Sequence, residues 1–351
     1  MIANKIINED IAEILLNFNH FEKFKNKTIL ISGAAGFLPA YLVETFLCLD
    51  PIFNTKVIAL VRTLDKANKR FSSWSEDSRL KLIQHDVSNP YISDQKIDFI
   101  IHAASQASPI YFGIDPVGTL NANILGTINL LNLAKDHDVE SFLFFSSGEV
   151  YGEVKSKDIP IKEDSFGYLN PTQVRACYGE SKRMGENICV SYHSQFGVRA
   201  KIVRPFHTYG PGMSLTDGRV FADFVSNVVN KQNIIMKSDG SAIRAFCYLT
   251  DATLGFLNII VKGDDGQAYN MGNPNQEYSI LELAKIIAGI YPDFKIKVIK
   301  KFSQNTENKY LKSPILRNSP NIDKIMKLGW IPKVGTNEGF KRTIDSFLEL
   351  N

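Results

Sequence analysis

Short apolar runs rich in β-branched and aromatic residues alternate with helical stretches between residues 28 and 206. In chain order the runs read TILIS, KVIALV, LKLIQHDV, IDFIIHAA, SFLFFSS and AKIVRPF. Helical patterns at residues 39–49, 116–136 and 172–196 separate several of them. Continuous apolar strands that alternate with helices are typical of a parallel sheet covered on both faces. We therefore predict an α/β fold with a doubly wound parallel sheet.

The regular alternation ends after Phe206. Glycine-rich turns follow it, YGPGMSLTDG and KSDGSAIR, and the helical stretches become shorter. This change predicts a sheet domain over residues 28–206, completed by part of 245–270, and a smaller C-terminal lobe of mixed α/β structure over residues 207–351. Because ligands of open α/β sheets bind outside the carboxyl ends of the strands, we expect this lobe to bind the substrate.

Residues 1–27 precede the first strand as a separate extension. Apolar residues recur there at helical spacing, at Ile7, Ile11, Ile14, Phe18 and Phe21. We predict an amphipathic helix that packs on the body or on a second subunit, with its N-cap at Asn8.

Composition excludes several classes of protein. The net charge is only +3 and lysines are scattered along the 351 residues, which argues against a nucleic-acid partner. No stretch reaches the roughly 18 apolar residues of a membrane helix, and the N-terminus lacks the pattern of a signal peptide. The four cysteines show no metal-ligand spacing, so we expect no metal, and reduced thiols in a cytoplasmic protein.

The segment SGAAGFLP joins the first strand to the first helix of the sheet domain. Gly33 and Gly36 stand where a tight turn lets the backbone approach a pyrophosphate at a helix N-terminus, and Phe37 and Leu38 follow them. Pro39 replaces the third glycine of the usual pattern, and proline is tolerated in the first turn of a helix. An ordinary strand-to-helix turn would fit this motif alone. With the strand order, it predicts a Rossmann-type domain that binds NAD or NADP.

Three further strand ends bear on the cofactor. Asp86 and Val87 stand where an adenine contact is expected, and Ala103 and Ala104, after the next strand, are assigned to the same site. The second strand ends in Arg62 rather than in the Asp or Glu that binds a ribose 2′-hydroxyl. Arg62 can favour a 2′-phosphate and hence NADP, or it can lie on the solvated surface. From this residue alone, NAD and NADP stay open.

The helix that contains CYGESKR carries Tyr178 and Lys182 four residues apart, on one face. An ammonium beside a phenol lowers the pKa of the phenol from about 10, which makes Tyr178 a candidate base for a substrate hydroxyl. Lys182 can also reach the nicotinamide ribose, and Ser147, at a neighbouring strand end, can hydrogen-bond the same hydroxyl. Behind a phosphate turn, this order of residues predicts catalysis rather than a solvated helix face.

Several longer stretches are distinctive, and they read HAASQASP, DPVGTLNANILGTINLL, SSGEVYG, NPTQVRACYGESKRMGE, RPFHTYGPGM, DGRVFADF, SAIRAF and LGW. In them the chain resembles the extended short-chain dehydrogenase/reductase family, in its NAD-dependent epimerase/dehydratase group of nucleotide-sugar enzymes. Within that group it is most similar to the UDP-glucuronate decarboxylases. The resemblance implies a UDP-sugar substrate and a homodimer formed through the helices at 116–136 and 172–196.

The resemblance also assigns roles to residues. Ser147, Tyr178 and Lys182 would be the catalytic triad. The remaining implied residues are Asn123 and Pro205 at the cofactor, and Ser108, Arg175, His207, Arg219 and Arg244 at the substrate. The chain departs from the decarboxylases at three positions: Gly148 replaces a serine, Gly212 replaces an arginine, and His207 replaces an asparagine.

Glu149 lies two residues beyond Ser147, and its use depends on the step that follows oxidation at C4 of the sugar. A 4-epimerase has little need of a carboxylate there, whereas a 4,6-dehydratase needs a base for the C5 proton. A decarboxylase needs an oriented C5 carboxylate and controlled protonation of the enolate, which Glu149 with Arg244 could provide. We predict a catalytic Glu149 in a decarboxylase. The alternatives are a dehydratase, an epimerase, or a Glu149 that only pairs with a nearby cation. A non-enzymatic NADP sensor is disfavoured, because such proteins typically lack the tyrosine–lysine pair.

Overall fold

The computed structural model of the chain describes residues 4–236, 238–301 and 315–349. Its strands are β1 (Thr28–Ser32), β2 (Lys56–Val61), β3 (Leu80–Gln84), β4 (Phe99–His102), β5 (Ser141–Phe145), β6 (Ala200–Pro205), β7 (His207–Tyr209), β8 (Ile234–Met236), β9 (Ile243–Tyr248), β10 (Ala268–Met271), β11 (Glu277–Ser279), β12 (Val298–Lys300) and β13 (Arg317–Asn318). Its α-helices are α1 (Lys5–Asn17), α2 (Phe37–Leu47), α3 (Leu64–Arg70), α4 (Pro109–Ile114), α5 (Pro116–Asp136), α6 (Cys177–Phe196), α7 (Val220–Val229), α8 (Leu249–Lys262), α9 (Ile280–Gly289), α10 (Asp323–Met326) and α11 (Thr336–Leu348).

The large sheet has seven parallel strands in the order β10-β6-β5-β4-β1-β2-β3. Each apolar run of the sequence supplies one strand, and β10 adds the seventh by pairing with β6. The chain leaves β1 towards β2 on one side and later places β4 on the other side. Between β1 and β4 the strand order therefore reverses, and a crevice opens at their carboxyl ends. The predicted Rossmann-type sheet is confirmed.

Side chains alternate across the sheet and build two cores. Ile29 and Ile31 of β1 point to the face covered by α2 and α8, whereas Leu30 points to the face covered by α5 and α6. Both faces are apolar because the strands are buried on both sides, which is why their sequences read as unbroken hydrophobic runs.

The C-terminal lobe has a core of its own. A small sheet of order β11-β9-β13, to which β7 adds by pairing with β9, combines antiparallel and parallel pairs. Helices α7, α9 and α11 pack on it around Phe224, Leu283 and Phe340. The predicted smaller mixed lobe is thus present.

The fold bears on the predictions about cysteines, metal sites and membrane helices. The four cysteines are free thiols. Over residues 4–236, 238–301 and 315–349, no group of three or more His, Cys, Asp or Glu side chains is placed to hold a metal ion. No helix in these ranges combines the length and the apolar character needed to cross a membrane.

Helix α1 begins one turn earlier than the sequence suggested. Its N-cap is Asn4, whose side chain accepts a hydrogen bond from the Ile7 amide at 3.1 Å, whereas Asn8 lies inside the first turn. The predicted cap at Asn8 is wrong, because the buried face already begins at Ile6 and Ile7.

A buried carboxylate fastens α1 to both lobes. Asp10 is fully buried and accepts hydrogen bonds from the hydroxyls of Tyr41 at 2.9 Å and Tyr248 at 2.8 Å. The Arg342 guanidinium on α11 donates two more, at 2.5 and 3.0 Å. One side chain of the extension therefore joins α2 of the sheet domain to β9 and α11 of the C-terminal lobe.

We expect Asp10→Asn to lower the free energy of unfolding by about 3–5 kcal/mol, because it leaves the Arg342 charge without its buried partner. Glu9→Gln is the matched control, since the Glu9 carboxylate is half exposed and lies 3.6 Å from the same guanidinium. It should cost less than about 1 kcal/mol. Urea unfolding measures both, and equal effects would contradict this role of Asp10.

Candidate active site

At the crevice between β1 and β4, the turn after β1 lies in close backbone contact with the start of the loop after β4. Gly33 has φ +66°, and a Cβ added to it would lie 2.7 Å from the Ala104 Cα. The Gly36 amide donates to the Gly33 carbonyl at 2.7 Å and caps α2. Only glycine fits at position 33, both for its left-handed conformation and for space. The turn presents the N-terminus of α2 to the crevice, an arrangement that suits a pyrophosphate.

A cavity of about 300 Å³ extends from this turn across the ends of β1, β2 and β3. Six residues predicted to bind the cofactor line it: Gly33, Gly36, Arg62, Asp86, Val87 and Ala104. The volume and the position suit the adenosine half of a dinucleotide, with its pyrophosphate at the turn. The residues present therefore fit the predicted cofactor.

The cavity lining, among the described residues, does not include the other predicted cofactor residues. Phe37 and Leu38 open α2, Ala103 follows β4, and Pro205 ends β6. Asn123 is fully buried on α5, where its amide nitrogen donates to the Ser181 hydroxyl at 2.9 Å. Its side-chain oxygen has no hydrogen-bond partner within the part of the chain that the structure describes.

Eight polar residues of the cavity were missed in the sequence: Thr63, Lys66, His85, Ser88, Ser105, Gln106, Asp115 and Asn121. Asp115 caps α5 by accepting from the Gly118 amide at 3.0 Å, and it also accepts from the Gln106 amide group at 2.7 Å. The Asp-Pro pair at the start of α5 was the available signal, since aspartate at an N-cap before proline marks a helix N-terminus.

Ser147, just after β5, lies near Tyr178 and Lys182 in the first turns of α6. The Ser147 side chain hydrogen-bonds the buried Tyr178 hydroxyl. The Lys182 ammonium lies 5.8 Å from the centroid of the Tyr178 ring and donates to the Phe145 carbonyl at 2.6 Å. Phe112 of α4, which sequence reasoning missed, stacks on the Tyr178 ring with centroids 4.9 Å apart.

The protonation of this group differs from the sequence-based expectation. Burial raises the pKa of Tyr178 to about 12, and the hydrogen bond from Ser147 only partly offsets it. Burial also lowers the pKa of the Lys182 ammonium to about 7. The prediction that Lys182 brings the phenol below its usual pKa is wrong for the protein alone, because burial raises the pKa of Tyr178 and the charge that lowers it is that of Arg219 rather than of Lys182.

Glu149 and Arg175 form an ion pair beside this group. The Arg175 guanidinium lies 3.1 and 3.5 Å from the two carboxylate oxygens, and its central carbon lies 5.7 Å from the centroid of the Phe112 ring. The charge of Glu149 also raises the pKa of Tyr178. Glu149, predicted to be catalytic, and Arg175, predicted to bind the substrate, are therefore in direct contact.

The remaining substrate candidates lie on the C-terminal lobe and on α4. Burial, together with the charges of Arg244 and Arg219, holds the pKa of His207 well below its usual range. Its Nδ1 is buried and finds no hydrogen-bond partner among the described residues. Arg219 pairs with Asp217 at 3.0 Å, and its charge lowers the pKa of Tyr178. Arg219 therefore connects the substrate candidates of the C-terminal lobe with the catalytic tyrosine. Ser108 donates to the Asp217 carbonyl at 2.5 Å.

Arg244 is held by backbone carbonyls. Its guanidinium donates to Ile243 and Ile315 at 2.7 Å and to Leu316 at 3.1 Å. Arg175, by contrast, is in direct contact with Glu149, at 3.1 Å.

At two positions where the chain departs from the decarboxylases, Gly148 and Gly212, a side chain from another part of the fold lies beside the glycine. A Cβ at Gly148 would lie 3.3 Å from the Phe206 ring, so this ring borders the space that a serine would need. A Cβ at Gly212 would lie 3.3 Å from the guanidinium of Arg70, which pairs with buried Glu44 at 2.7 Å. A cation is thus present beside Gly212, supplied by α3.

A sequence model of the NAD dependent epimerase/dehydratase family matches residues 29–272. The chain belongs to this family. UDP-glucuronic acid decarboxylase 5 of Arabidopsis thaliana is 35% identical over 324 residues, which cover 92% of this chain and 89% of that protein. UDP-glucuronic acid decarboxylase 1 of Danio rerio is 32% identical over 352 residues, covering 97% of this chain and 79% of that protein.

Solved structures of the epimerase/dehydratase type share the fold. UDP-glucuronic acid 4-epimerase from Bacillus cereus, in complex with UDP-glucuronic acid and NAD, matches with a TM-score of 0.78 and 24% identity over 92% of this chain and 100% of that chain. Family membership confirms the predicted family, the prediction of an enzyme, and NAD as its cofactor.

We expect Gly33→Ala to weaken NAD binding roughly tenfold or more, because overpacking against Ala104 costs about 1–3 kcal/mol. Gly197→Ala is the control, since Gly197 is also left-handed but has no atom within 4 Å of the added Cβ. Calorimetric titration with NAD compares the two variants. Unchanged affinity in folded Gly33→Ala protein would show that the cofactor lies elsewhere.

Proposed function

We propose that this chain converts UDP-glucuronate to UDP-xylose and CO2 through transient oxidation at C4. The curated relatives named UDP-glucuronic acid decarboxylase support the substrate. The observation that carries the reaction is the Glu149–Arg175 pair beside the hydrogen-bonded Ser147 and Tyr178.

The first step uses Tyr178 and Ser147. Ser147 hydrogen-bonds the sugar 4-hydroxyl, and Tyr178 takes its proton as the hydride leaves C4. Bound NAD supplies the hydride acceptor and, in its oxidised form, a positive charge. Lys182 and Asn123 would hold the nicotinamide half from α6 and α5. Because burial raises the pKa of Tyr178 to about 12 in the protein alone, turnover requires added positive charge near the phenol.

Oxidation at C4 makes the C5 carboxylate part of a β-keto acid. The bond between C5 and the carboxyl carbon then breaks, CO2 leaves, and its electron pair enters an enolate that the C4 carbonyl stabilises. A solvent proton delivered to C5, the hydride returned to C4 and the proton returned from Tyr178 to the C4 oxygen complete UDP-xylose. No net oxidant is consumed.

Glu149 and Arg175 serve the middle step. A lone carboxylate at position 149 would repel the substrate carboxylate, and Arg175 offsets this repulsion by pairing with it at 3.1 Å. We assign to Glu149 the relay of a solvent proton to C5: its carboxylate takes up one proton from water and passes it to C5, which returns Glu149 to the ionised pair with Arg175. Arg219, which is electrostatically coupled to both Tyr178 and His207, is the candidate cation for the substrate.

Position 148 favours decarboxylation over dehydration. A 4,6-dehydratase needs an acid for the C6 hydroxyl, and Gly148 offers none, with the Phe206 ring bordering the space for a side chain. Loss of CO2 from a β-keto acid needs no such acid. An epimerase remains the alternative, because it needs only the residues of the oxidation step.

A homodimer through α5 and α6 is part of the proposal. These helices are joined by a hydrogen bond from the Tyr192 hydroxyl to Asn132 at 2.9 Å. Apolar side chains on both remain exposed: Val117, Leu125, Met184, Val190 and Phe196. A second copy would bury this surface. The cytoplasmic location stays a prediction from the reduced cysteines.

The purified protein, given UDP-glucuronate and NAD, should release CO2 and form a UDP-pentose. Mass spectrometry of the nucleotide sugars measures this conversion. If neither forms and another UDP-sugar is epimerised or dehydrated, the decarboxylase proposal fails while the family assignment stands.

Two substitutions separate the steps of the reaction. Tyr178→Phe should lower turnover by about 10²–10⁴-fold, because it removes the proton acceptor for oxidation. Glu149→Gln should instead retain oxidation at C4 and release a 4-keto sugar. The cofactor would then stay reduced, and the absorbance of the reduced nicotinamide measures this. Glu153→Gln, at an exposed carboxylate nearby, should behave as the parent. A Glu149→Gln enzyme that forms the UDP-pentose at the parental rate would remove Glu149 from the mechanism.

Leu125→Asp should convert the protein to a monomer, since it places a charge in the proposed interface. Leu16→Asp, at an exposed leucine of α1, is the control and should leave the dimer intact. Light scattering after gel filtration gives both masses. A monomeric parent protein at micromolar concentration would contradict the dimer.

A further inference from the structure

Helix α6 carries a third ionisable side chain on the face that holds Tyr178 and Lys182. Glu186 follows Lys182 by four residues, as Lys182 follows Tyr178, so the three lie along one side of the helix. Gly185 lets the helix approach β5, because a Cβ there would clash with the Phe144 ring. The reaction proposed above gives Glu186 no role.

Glu186 is held in place by two neighbours. The Arg204 guanidinium of β6 donates to its two carboxylate oxygens at 2.6 and 2.8 Å, and the buried Ser146 hydroxyl donates to one of them. The third guanidinium nitrogen donates to the Tyr151 hydroxyl at 2.6 Å and to the Glu163 carbonyl at 2.8 Å. All three nitrogens of Arg204 are thus engaged, and they fix the carboxylate of Glu186.

The end of β5 brings Glu186 and Lys182 together. The Lys182 ammonium donates to the Phe145 carbonyl at 2.6 Å, and the next residue of the chain, Ser146, donates to Glu186. The head groups of the lysine and the glutamate therefore lie against consecutive residues. Burial lowers the pKa of Lys182 to about 7, and the charge of Glu186 opposes this shift.

The other titratable groups around Lys182 do not balance its charge. His102 of β4 faces it as a neutral imidazole, because burial and the charge of Lys182 lower the pKa of His102 to about 3. Burial raises the pKa of the Tyr178 phenol to about 12 and that of the Cys189 thiol well above its usual value, so both stay protonated. Among the described residues, Glu186 is the carboxylate whose charge acts on the buried ammonium.

We propose that Glu186 is a positioning residue that keeps the catalytic Lys182 in its ammonium form. Lys182 would hold the nicotinamide half of oxidised NAD, which is itself positively charged. A buried ammonium in that setting is costly without an anionic partner, and it would lose its proton. The inference rests on the catalytic role proposed for Lys182, but the charge of the lysine can be measured without turnover.

Titration of Lys182 by NMR tests the inference directly. The protein is labelled with 13C at the lysine Cε atoms, and the Lys182 signal is identified by its absence in Lys182→Met. We expect Lys182 to titrate about one pH unit lower in Glu186→Gln, because the variant removes a neighbouring opposite charge. Glu186→Asp keeps the charge and should titrate close to the parent. Glu180→Gln, which breaks a half-buried pair with Arg183 on the same helix, is the control and should titrate as the parent.

A double variant guards against loss of the fold. Glu186→Gln leaves the Arg204 charge buried without its partner, so Glu186→Gln/Arg204→Met, which removes both charges, is measured beside it. Lys182 should again titrate at lower pH than in the parent. Parental titration of Lys182 in either variant would overturn the proposal.

Turnover gives a second readout. At neutral pH the kcat of Glu186→Gln should fall several-fold with little change in KM for UDP-glucuronate, because fewer molecules carry the ammonium. Since a lower pH restores the ammonium, the ratio of variant to parent kcat should rise as the pH falls. A ratio independent of pH would indicate a purely structural ion pair and contradict the proposal. If the parent does not act on UDP-glucuronate, the proposed function fails, and the NMR titration still decides the role of Glu186.

Discussion

The contact between the turn after β1 and the start of the loop after β4 determines the geometry of the site. Gly33 approaches Ala104 so closely that a Cβ would lie 2.7 Å from its Cα. This approach fixes the N-terminus of α2 at the point where the strand order reverses, and the cofactor cavity opens there. The ends of β5 and β6 then place Ser147 and Phe206 on the opposite side of the same crevice, next to α6.

The catalytic group combines buried ionisable side chains with half-buried charge partners. Burial keeps the Tyr178 phenol protonated, with a pKa of about 12, and lowers the pKa of Lys182 to about 7. Charges at the rim adjust this balance in opposite directions, since Glu149 raises the pKa of Tyr178 and Arg219 lowers it. The protein alone therefore holds the phenol as an acid, and activity depends on the charges that the ligands bring.

Local patterns predicted much of this arrangement. The strands, the glycine turn and the face shared by Tyr178 and Lys182 follow from residues close in sequence. The sequence could not reveal effects that depend on distant neighbours. The stacking of Phe112 on Tyr178, the pairing of Glu149 with Arg175, and the cation that Arg70 supplies beside Gly212 all join separate elements. Burial decided the pKa of Tyr178, and burial is a property of the folded chain.

Isotope labelling during turnover tests the proposed reaction most directly. UDP-glucuronate is incubated with the enzyme in D2O, and the position of deuterium in the product is read by NMR. Decarboxylation with internal hydride return predicts a UDP-pentose with one deuterium at C5 and the original hydrogen at C4. A hexuronate product without deuterium at C5 would contradict decarboxylation and indicate epimerisation. Deuterium at C4 would contradict the return of the hydride within the same site.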